Sequence, residues 1–201
     1  MAYRQGFPDV HLQLEELTTQ EQLTAMIERR LEVAFVRSAR RPDLPPTLRA
    51  TSLFEDSLVV ALPPQHRLSA RADALPVSAL ADEVFVMYQR ESGTGVYEQI
   101  VALCRQAGFS PRIAQEAREV PTIIGLVAAG LGIAFVPASL SSINVNGVTY
   151  RPLREKAARS AMWLVLRAAE LSPQEAAFAE LTKTVQFRVN GASLADRNKS
   201  R

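Results

Sequence analysis

Two short stretches place hydroxyls, glycine and backbone amides where a helix is due to begin. Thr18-Thr19 lies between an alternating apolar run and a helical stripe. Ser92-Gly93-Thr94-Gly95-Val96 lies between the apolar run Val84–Tyr88 and a second stripe. A helix N-terminus carries unpaired N–H groups and the positive end of the helix dipole, so each stretch is a receptor for a carboxylate or another small anion. Glycine lets a ligand approach the main chain closely. Arg37, which ends the run Leu31–Arg37, can add a positive charge on the same side. The same residues also fit two well-capped helices with no ligand, and spacing alone leaves both readings open.

Other reactive residue types are scattered. His11 and His66 have no cysteine, histidine or carboxylate at metal-ligand spacing, so both read as structural or solvent-facing, and no metal is expected. Cys104 falls on the apolar stripe of a helix and reads as a small buried hydrophobe rather than a reactive thiol. No Gly-x-Ser-x-Gly elbow or phosphate-loop lysine occurs. Gly130-Leu131-Gly132 resembles part of a dinucleotide fingerprint, but it joins helix to strand where the fingerprint joins strand to helix, so it reads as a helix stop. No acid–base pair stands out by spacing. Neither a cofactor nor catalysis is expected.

The elements that must position these groups alternate between strand and helix. Strands are expected over Val10–Glu16, where Val10, Leu12 and Leu14 alternate, and over Leu31–Arg37, Leu48–Phe54, Ser57–Leu62 and Val84–Tyr88. Further strands are expected over Arg112–Glu116, Gly132–Val136, Val148–Pro152 and Ala161–Arg167. Thr18 with Glu21, and Thr19 with Gln22, both have capping-box spacing before a helix carrying Leu23, Met26, Ile27 and Leu31. A helix with Val96, Ile100, Leu103, Cys104 and Ala107 on one face stops at Gly108, and another over Pro121–Ala129 stops at Gly130. Prolines make Ala39–Pro46 a loop, and a short helix is expected within Leu75–Asp82. Ser172-Pro173-Gln174-Glu175 combines an N-cap, proline at the first helical position and a capping glutamate. It opens a last helix over about 173–189 with Phe178, Leu181 and Val185 on one face. Gly191–Arg201 is polar and reads as a frayed, flexible tail.

This repetition implies an α/β fold with largely parallel sheets. Two clusters stand at about 1–80 and 84–150, and the strand and helix that follow are free to return to the first, giving two lobes joined by crossing strands.

The 201 residues carry 23 Lys+Arg against 21 Asp+Glu, and 47% are hydrophobic, a balance that suits a folded chain and excludes extensive disorder. One cysteine excludes a disulfide scaffold. No apolar run approaches the roughly 18 residues of a membrane span, and the N-terminus lacks the apolar core of a secretory signal, so the expected compartment is the cytoplasm and no membrane partner is expected. The net charge of +2 gives no basis for nucleic-acid binding by these residues.

Several stretches in order resemble the effector-binding domain of LysR-type transcriptional regulators. The most specific is EAREVPTIIGLVAAGLGIAFVPAS, Glu116 to Ser139. FPDVHLQLEELTTQEQL (Phe7 to Leu23), LEVAFVR, SLVVALPPQHRL (Ser57 to Leu68), YEQIVALCRQAGF (Tyr97 to Phe109) and VTYRPL (Val148 to Leu153) extend it over about residues 2 to 188. The nearest subgroup is the one that senses muconate and aromatic acids. The resemblance implies two periplasmic-binding-protein-like, Rossmann-type lobes with an effector in the cleft. On this view 1–80 and the return 156–189 form lobe I, 81–155 forms lobe II, and 190–201 is tail. Effector contacts fall on Thr19 and on Ser92, Gly93, Thr94, Gly95 and Val96, with Arg37 matching a characteristic arginine near the cleft. Arg118 and Glu119 match a charged pair used in a second, buried region. The implied partners are an anionic metabolite, a second copy of the chain in at least a dimer, and operator DNA reached through a helix-turn-helix domain absent from these residues.

The chain departs from the family in two places. The first strand of lobe I and its loop have no counterpart, which leaves unpaired backbone edges and an incomplete cleft. Arg29-Arg30-Leu31-Glu32 replaces the usual Gly-x-Leu-Asp, so Arg29 must end its helix at positive φ, at a cost of about 1 kcal/mol. Two other functions use a similar scaffold. One is a transporter's solute-binding protein, against which the missing export signal argues. The other is a small two-lobed enzyme, for which Thr94 is the only plausible cleft hydroxyl.

Overall fold

The computed structural model describes residues 2–90, 95–142, 145–184, 188–189 and 192–193. Two long strands organise it. β2 (Leu48–Leu62) and β7 (Arg159–Arg167) pair antiparallel from Leu48↔Arg167 to Ser57↔Arg159, with one irregularity between Ser52 and Phe54. On the far side of β7 lies β1 (Ala34–Ser38), also antiparallel. Beyond Ser57, β2 acquires new antiparallel neighbours, β5 (Ala134–Pro137) and β6 (Thr149–Pro152). β2 therefore belongs to two bodies, and the polypeptide crosses between them along β2 and β7.

Among the described residues, parallel pairing is confined to the second body. There β3 (Val84–Tyr88) and β4 (Arg112–Ala117) are joined by α3 (Val96–Gln106), and single parallel bridges join Phe85 to Ile133 and Leu75 to Leu153. The expectation of largely parallel sheets is thus corrected: the five-stranded sheet is antiparallel throughout. The crossing strands run in opposite directions, and only a helical crossover can set neighbouring strands parallel. The strands expected over Leu48–Phe54 and Ser57–Leu62 are one strand. Glu55 and Asp56 stay in register with Ala161 and Ser160, so what changes there is the neighbour, not the direction.

Each body has its own core. On the first, side chains alternate across the sheet as a pleat demands. Ala34, Val36 and Val165 face α2 (Thr19–Ile27) through Met26. Leu164 and Leu166 face α5 (Pro173–Thr184) through Ala179, and Phe35 meets Phe178 edge-on at 6.3 Å. α1 (Ala2–Gly6) lies against α5, its Tyr3 ring 5.1 Å from Phe178. The second core gathers Leu58–Leu62, Leu75, Val77 and Leu80 with β3, β5, α3 and α4 (Val120–Ala128). At its centre Phe85 and Phe135 are fully buried and meet edge-to-face at 5.9 Å. Gly130, at φ +80°, stops α4 as expected, and Gly132 lets β5 begin against β3, since a Cβ there would come within 2.5 Å of the Val84 carbonyl oxygen.

Other elements form for local reasons. Thr18 caps α2 with a reciprocal box, its hydroxyl accepting from the Glu21 amide while the Glu21 carboxylate accepts from Thr18. The alternative box from Thr19 is not formed, and the Gln22 side chain donates instead to the Leu17 carbonyl. α2 ends through Arg29 at φ +60°, the strained exit its sequence requires. The short helix within Leu75–Asp82 is a 3₁₀ turn at Val77–Leu80. Ser172 and Glu175 form the box that opens α5.

Two further expectations are corrected. Val10–Glu16 forms no strand: among the described residues no neighbouring strand pairs with it, and without a ladder its alternation cannot be used, so Leu14 is 89% exposed. The last helix, expected to reach about 189, is described over Pro173–Thr184, and Arg188–Val189 (β8), expected within it, instead pairs antiparallel with Ala192–Ser193 (β9), which lies at the start of the segment expected to fray. Val185 and 194–201 lie outside the described residues.

Candidate functional site

The helix tips marked by the sequence stand where the two bodies meet. Gly95 is the N-cap of α3, at φ +67°, a conformation that suits glycine. A Cβ placed on it would lie 3.7 Å from the Ser38 hydroxyl at the end of β1, so α3 of the second body begins against β1 of the first. Val96, the first residue of α3, is buried. On the other side Thr19 is the first residue of α2 and is 7% exposed. Arg118, just past β4, reaches from the second body to the Glu21 carboxylate on the first turn of α2 at 3.2 Å. Ser92, Gly93 and Thr94 lie outside the described residues.

The tip of α2 already holds an anion of its own. Bonds from Thr18 and the charge of Arg118 keep the Glu21 carboxyl below its ordinary pKa, so it stays ionised beside the helix end. An incoming carboxylate there must share the tip with Glu21. Among the described residues, the amides of Thr19 and Gln20 and the Thr19 hydroxyl remain for it.

Arg37 does not stand ready as a free cation. Its guanidinium donates to the Asp56 carboxylate at 3.0 Å and to the Ser160 hydroxyl at 3.0 Å. Asp56 also accepts from the Ser139 amide at 3.1 Å and the Ser139 hydroxyl at 2.5 Å, and its side chain is fully buried. This cluster ties β1, β2 and β7 to the 3₁₀ turn Ala138–Ser142 that follows β5. In this arrangement Arg37 neutralises Asp56 at the crossing. Sequence reasoning missed Asp56, Ser139 and Ser160, because the bonded pairs lie from 19 residues (Arg37 and Asp56) to 123 residues (Arg37 and Ser160) apart and only the antiparallel crossing brings all four together.

The Tyr88 hydroxyl, at the end of β3, is buried in the same neighbourhood and has no hydrogen-bond partner among the described residues. Burial pushes its pKa up, Arg37 opposes the rise, and Asp56 and Glu119 add to it. A buried hydroxyl without a partner has a donor to offer.

The pair Arg118 and Glu119 is not buried. Both are exposed on the two-residue turn between β4 and α4, where Arg118 pairs with Glu21 and Glu119 is an N-cap without a side-chain bond. The tight turn leaves their side chains at the rim.

The remaining reactive groups do structural work. The His66 Nδ1 accepts from the Leu68 amide, so its Nε2–H donates to Glu83 at 3.1 Å. Cys104 is buried, and burial pushes its thiol to about 12. No group of three or more His, Cys, Asp or Glu side chains suited to a metal ion occurs among the described residues. Nor is any described helix long and apolar enough to cross a membrane.

Two α/β bodies joined by crossing strands, with one helix tip from each at the junction, define an effector-binding fold of the periplasmic-binding-protein type. Comparison gives the family. Residues 1–186 match the LysR substrate binding domain, and the chain belongs to the LysR family. It is 37% identical over 163 residues to an uncharacterized HTH-type transcriptional regulator, YnfL, of Escherichia coli, covering 81% of this chain and 54% of that protein. It is 31% identical over 171 residues to the regulator BenM of Acinetobacter baylyi, covering 85% and 55%. The effector-binding domain of a BenM variant superposes with a TM-score of 0.80 at 30% identity, over 90% of this chain and 83% of that one. The BenM effector-binding domain with its effector benzoate gives 0.74 at 28%, over 92% and 86%. The chain spans about half the length of the curated relatives it matches.

Proposed function

We propose that the chain is the sensing part of a transcription regulator and holds a small carboxylate, of the aromatic-acid type, between its two lobes. The observation that carries this reading is the convergence of two helix tips on one junction: Gly95 of α3 against Ser38, and Arg118 against the first turn of α2. A carboxylate bridging the tips of α2 and α3 favours the closed arrangement, because only there are both sets of donors offered at once. Benzoate in the related BenM domain supports this ligand class. On this reading Thr19, Gly95 and Val96, with Ser92, Gly93 and Thr94, contact the effector. Arg37 holds the crossing rigid, and Arg118 and Glu119 set the charge at the mouth. We place the lobe boundary in the crossing strands, near Asp56 and Ser160, because Leu58–Leu80 share the second core.

In the longer protein, the closed state alters how an oligomer, at least a dimer, presents its helix-turn-helix domains to operator DNA. The place of action is the cytoplasm, and the chain carries no catalytic step.

Calorimetric titration with benzoate and cis,cis-muconate tests this. The expected result is saturable binding weakened about tenfold or more by Thr19→Val, the loss of one hydrogen bond to a charged group. Absence of binding to either acid at millimolar concentration, or binding indifferent to Thr19→Val, overturns the reading.

A further inference from the structure

β3 ends at the lobe junction on Tyr88. Its partner there is Ala117, and the turn that follows Ala117 carries Arg118, which reaches Glu21 of the first body at 3.2 Å. The chain beyond Tyr88 leads to α3, whose Gly95 stands against Ser38, the residue next to Arg37. Tyr88 thus lies between two points at which the second body meets the first. It is 6% exposed, and its hydroxyl is buried without a hydrogen-bond partner among the described residues. Carboxyl ends of strands are where open α/β sheets take ligands. A buried donor there stays unsatisfied until an acceptor arrives.

The charges around Tyr88 define that acceptor. Asp56 is paired with Arg37 and Glu21 with Arg118, while Glu119 has neither an ion pair nor a side-chain capping bond among the described residues. Three carboxylates therefore face two guanidiniums. One monoanion restores little more than the charge already present, but a second negative charge beside Asp56 and Glu119 is repelled. Burial and these two carboxylates keep the Tyr88 hydroxyl protonated, so it donates. The group it suits is an oxygen without charge, such as a phenolic hydroxyl or a carbonyl. A site with a buried donor discriminates sharply between ligands that differ by one such oxygen.

We propose that Tyr88 selects the effector: its hydroxyl donates to a neutral oxygen on an aromatic monocarboxylate whose carboxylate stands at the tip of α3. This rests on the effector reading given above and narrows it to acids bearing a hydroxyl or oxo substituent. The ligand reaches Tyr88 while the two bodies are apart, and closure buries the new hydrogen bond between them.

The test is calorimetric titration of the 201-residue protein and of Tyr88→Phe with benzoate, with 2-, 3- and 4-hydroxybenzoate and with cis,cis-muconate. In the parent protein at least one hydroxybenzoate is expected to bind about fivefold or more tighter than benzoate, the worth of one hydrogen bond, and muconate more weakly than benzoate. Tyr88→Phe is expected to abolish the hydroxybenzoate's advantage while leaving benzoate affinity within about twofold, and to keep the unfolding midpoint of the parent, since the oxygen it removes has no partner. A second readout needs no substitution. The protein has four tyrosines, and with their ζ carbons labelled by carbon-13 one resonance is expected to move further downfield with the hydroxybenzoate than with benzoate, as donation by that hydroxyl requires. No hydroxybenzoate advantage, an advantage that survives Tyr88→Phe, an equal loss for benzoate, no tyrosine shift, or muconate as the tightest ligand overturns the proposal and leaves the effector reading standing. Absence of binding by every acid overturns both.

Discussion

The buried cluster at the crossing gives the sharpest test of how the lobes are held. Asp56→Ala removes the acceptor of three hydrogen bonds and leaves Arg37, only 16% exposed, as an unpaired cation. Breaking a buried pair from one side costs about 3–5 kcal/mol, because the surviving charge has lost both water and partner. With a urea slope of about 2 kcal/mol per molar, the unfolding midpoint is expected to fall by about 2 M. Arg37→Met in the same background removes the stranded charge, so the double variant is expected to recover at least half of the loss. Equilibrium urea unfolding followed by circular dichroism measures all three proteins. A midpoint for Asp56→Ala within 0.3 M of the parent protein would refute the reasoning (about 0.6 kcal/mol at that slope). A double variant less stable than Asp56→Ala would refute it equally, since the surviving charge would then not be the source of the cost.

Three further outcomes follow from local geometry. Glu21 has its pKa lowered in the folded protein, so its contribution to stability is present above its unfolded value and is lost as pH falls through the folded one. Glu21→Gln should therefore flatten the acid limb of the stability curve, as seen in thermal melts between about pH 5 and 2. Arg29 sits at φ +60°, so Arg29→Gly is expected to raise stability by about 1 kcal/mol, read as a higher melting temperature. A lower one would mean that the Arg29 side chain contributes more than its strained backbone costs. Gly132→Ala pushes a Cβ to 2.5 Å from the Val84 carbonyl oxygen, so it should cost at least about 2 kcal/mol and lower the melting temperature by several degrees.

Much of the fold was legible because its cues are local. The compact apolar run Val84–Tyr88, the stripe Val96–Ile100–Leu103–Cys104 and the boxes at Thr18–Glu21 and Ser172–Glu175 each depend on residues close together in sequence. Such cues determine that an element exists and where it starts. They cannot say which strand lies beside which. That is why β2 read as two strands and why the antiparallel crossing read as largely parallel sheets. Val10–Glu16 has a strand's pattern, but a strand is a property of a pair.

The site divides in the same way. The sequence by itself determined the helix tips at Thr18-Thr19 and at Gly95, since capping residues and glycine act within their own turn. Only the tertiary structure decided that Gly95 lies against Ser38, that Arg118 reaches Glu21, and that Arg37 is neutralised by Asp56. Charges and dipoles act through space, so which of them meet is set by the crossing of β2 and β7, which no local pattern of residues encodes.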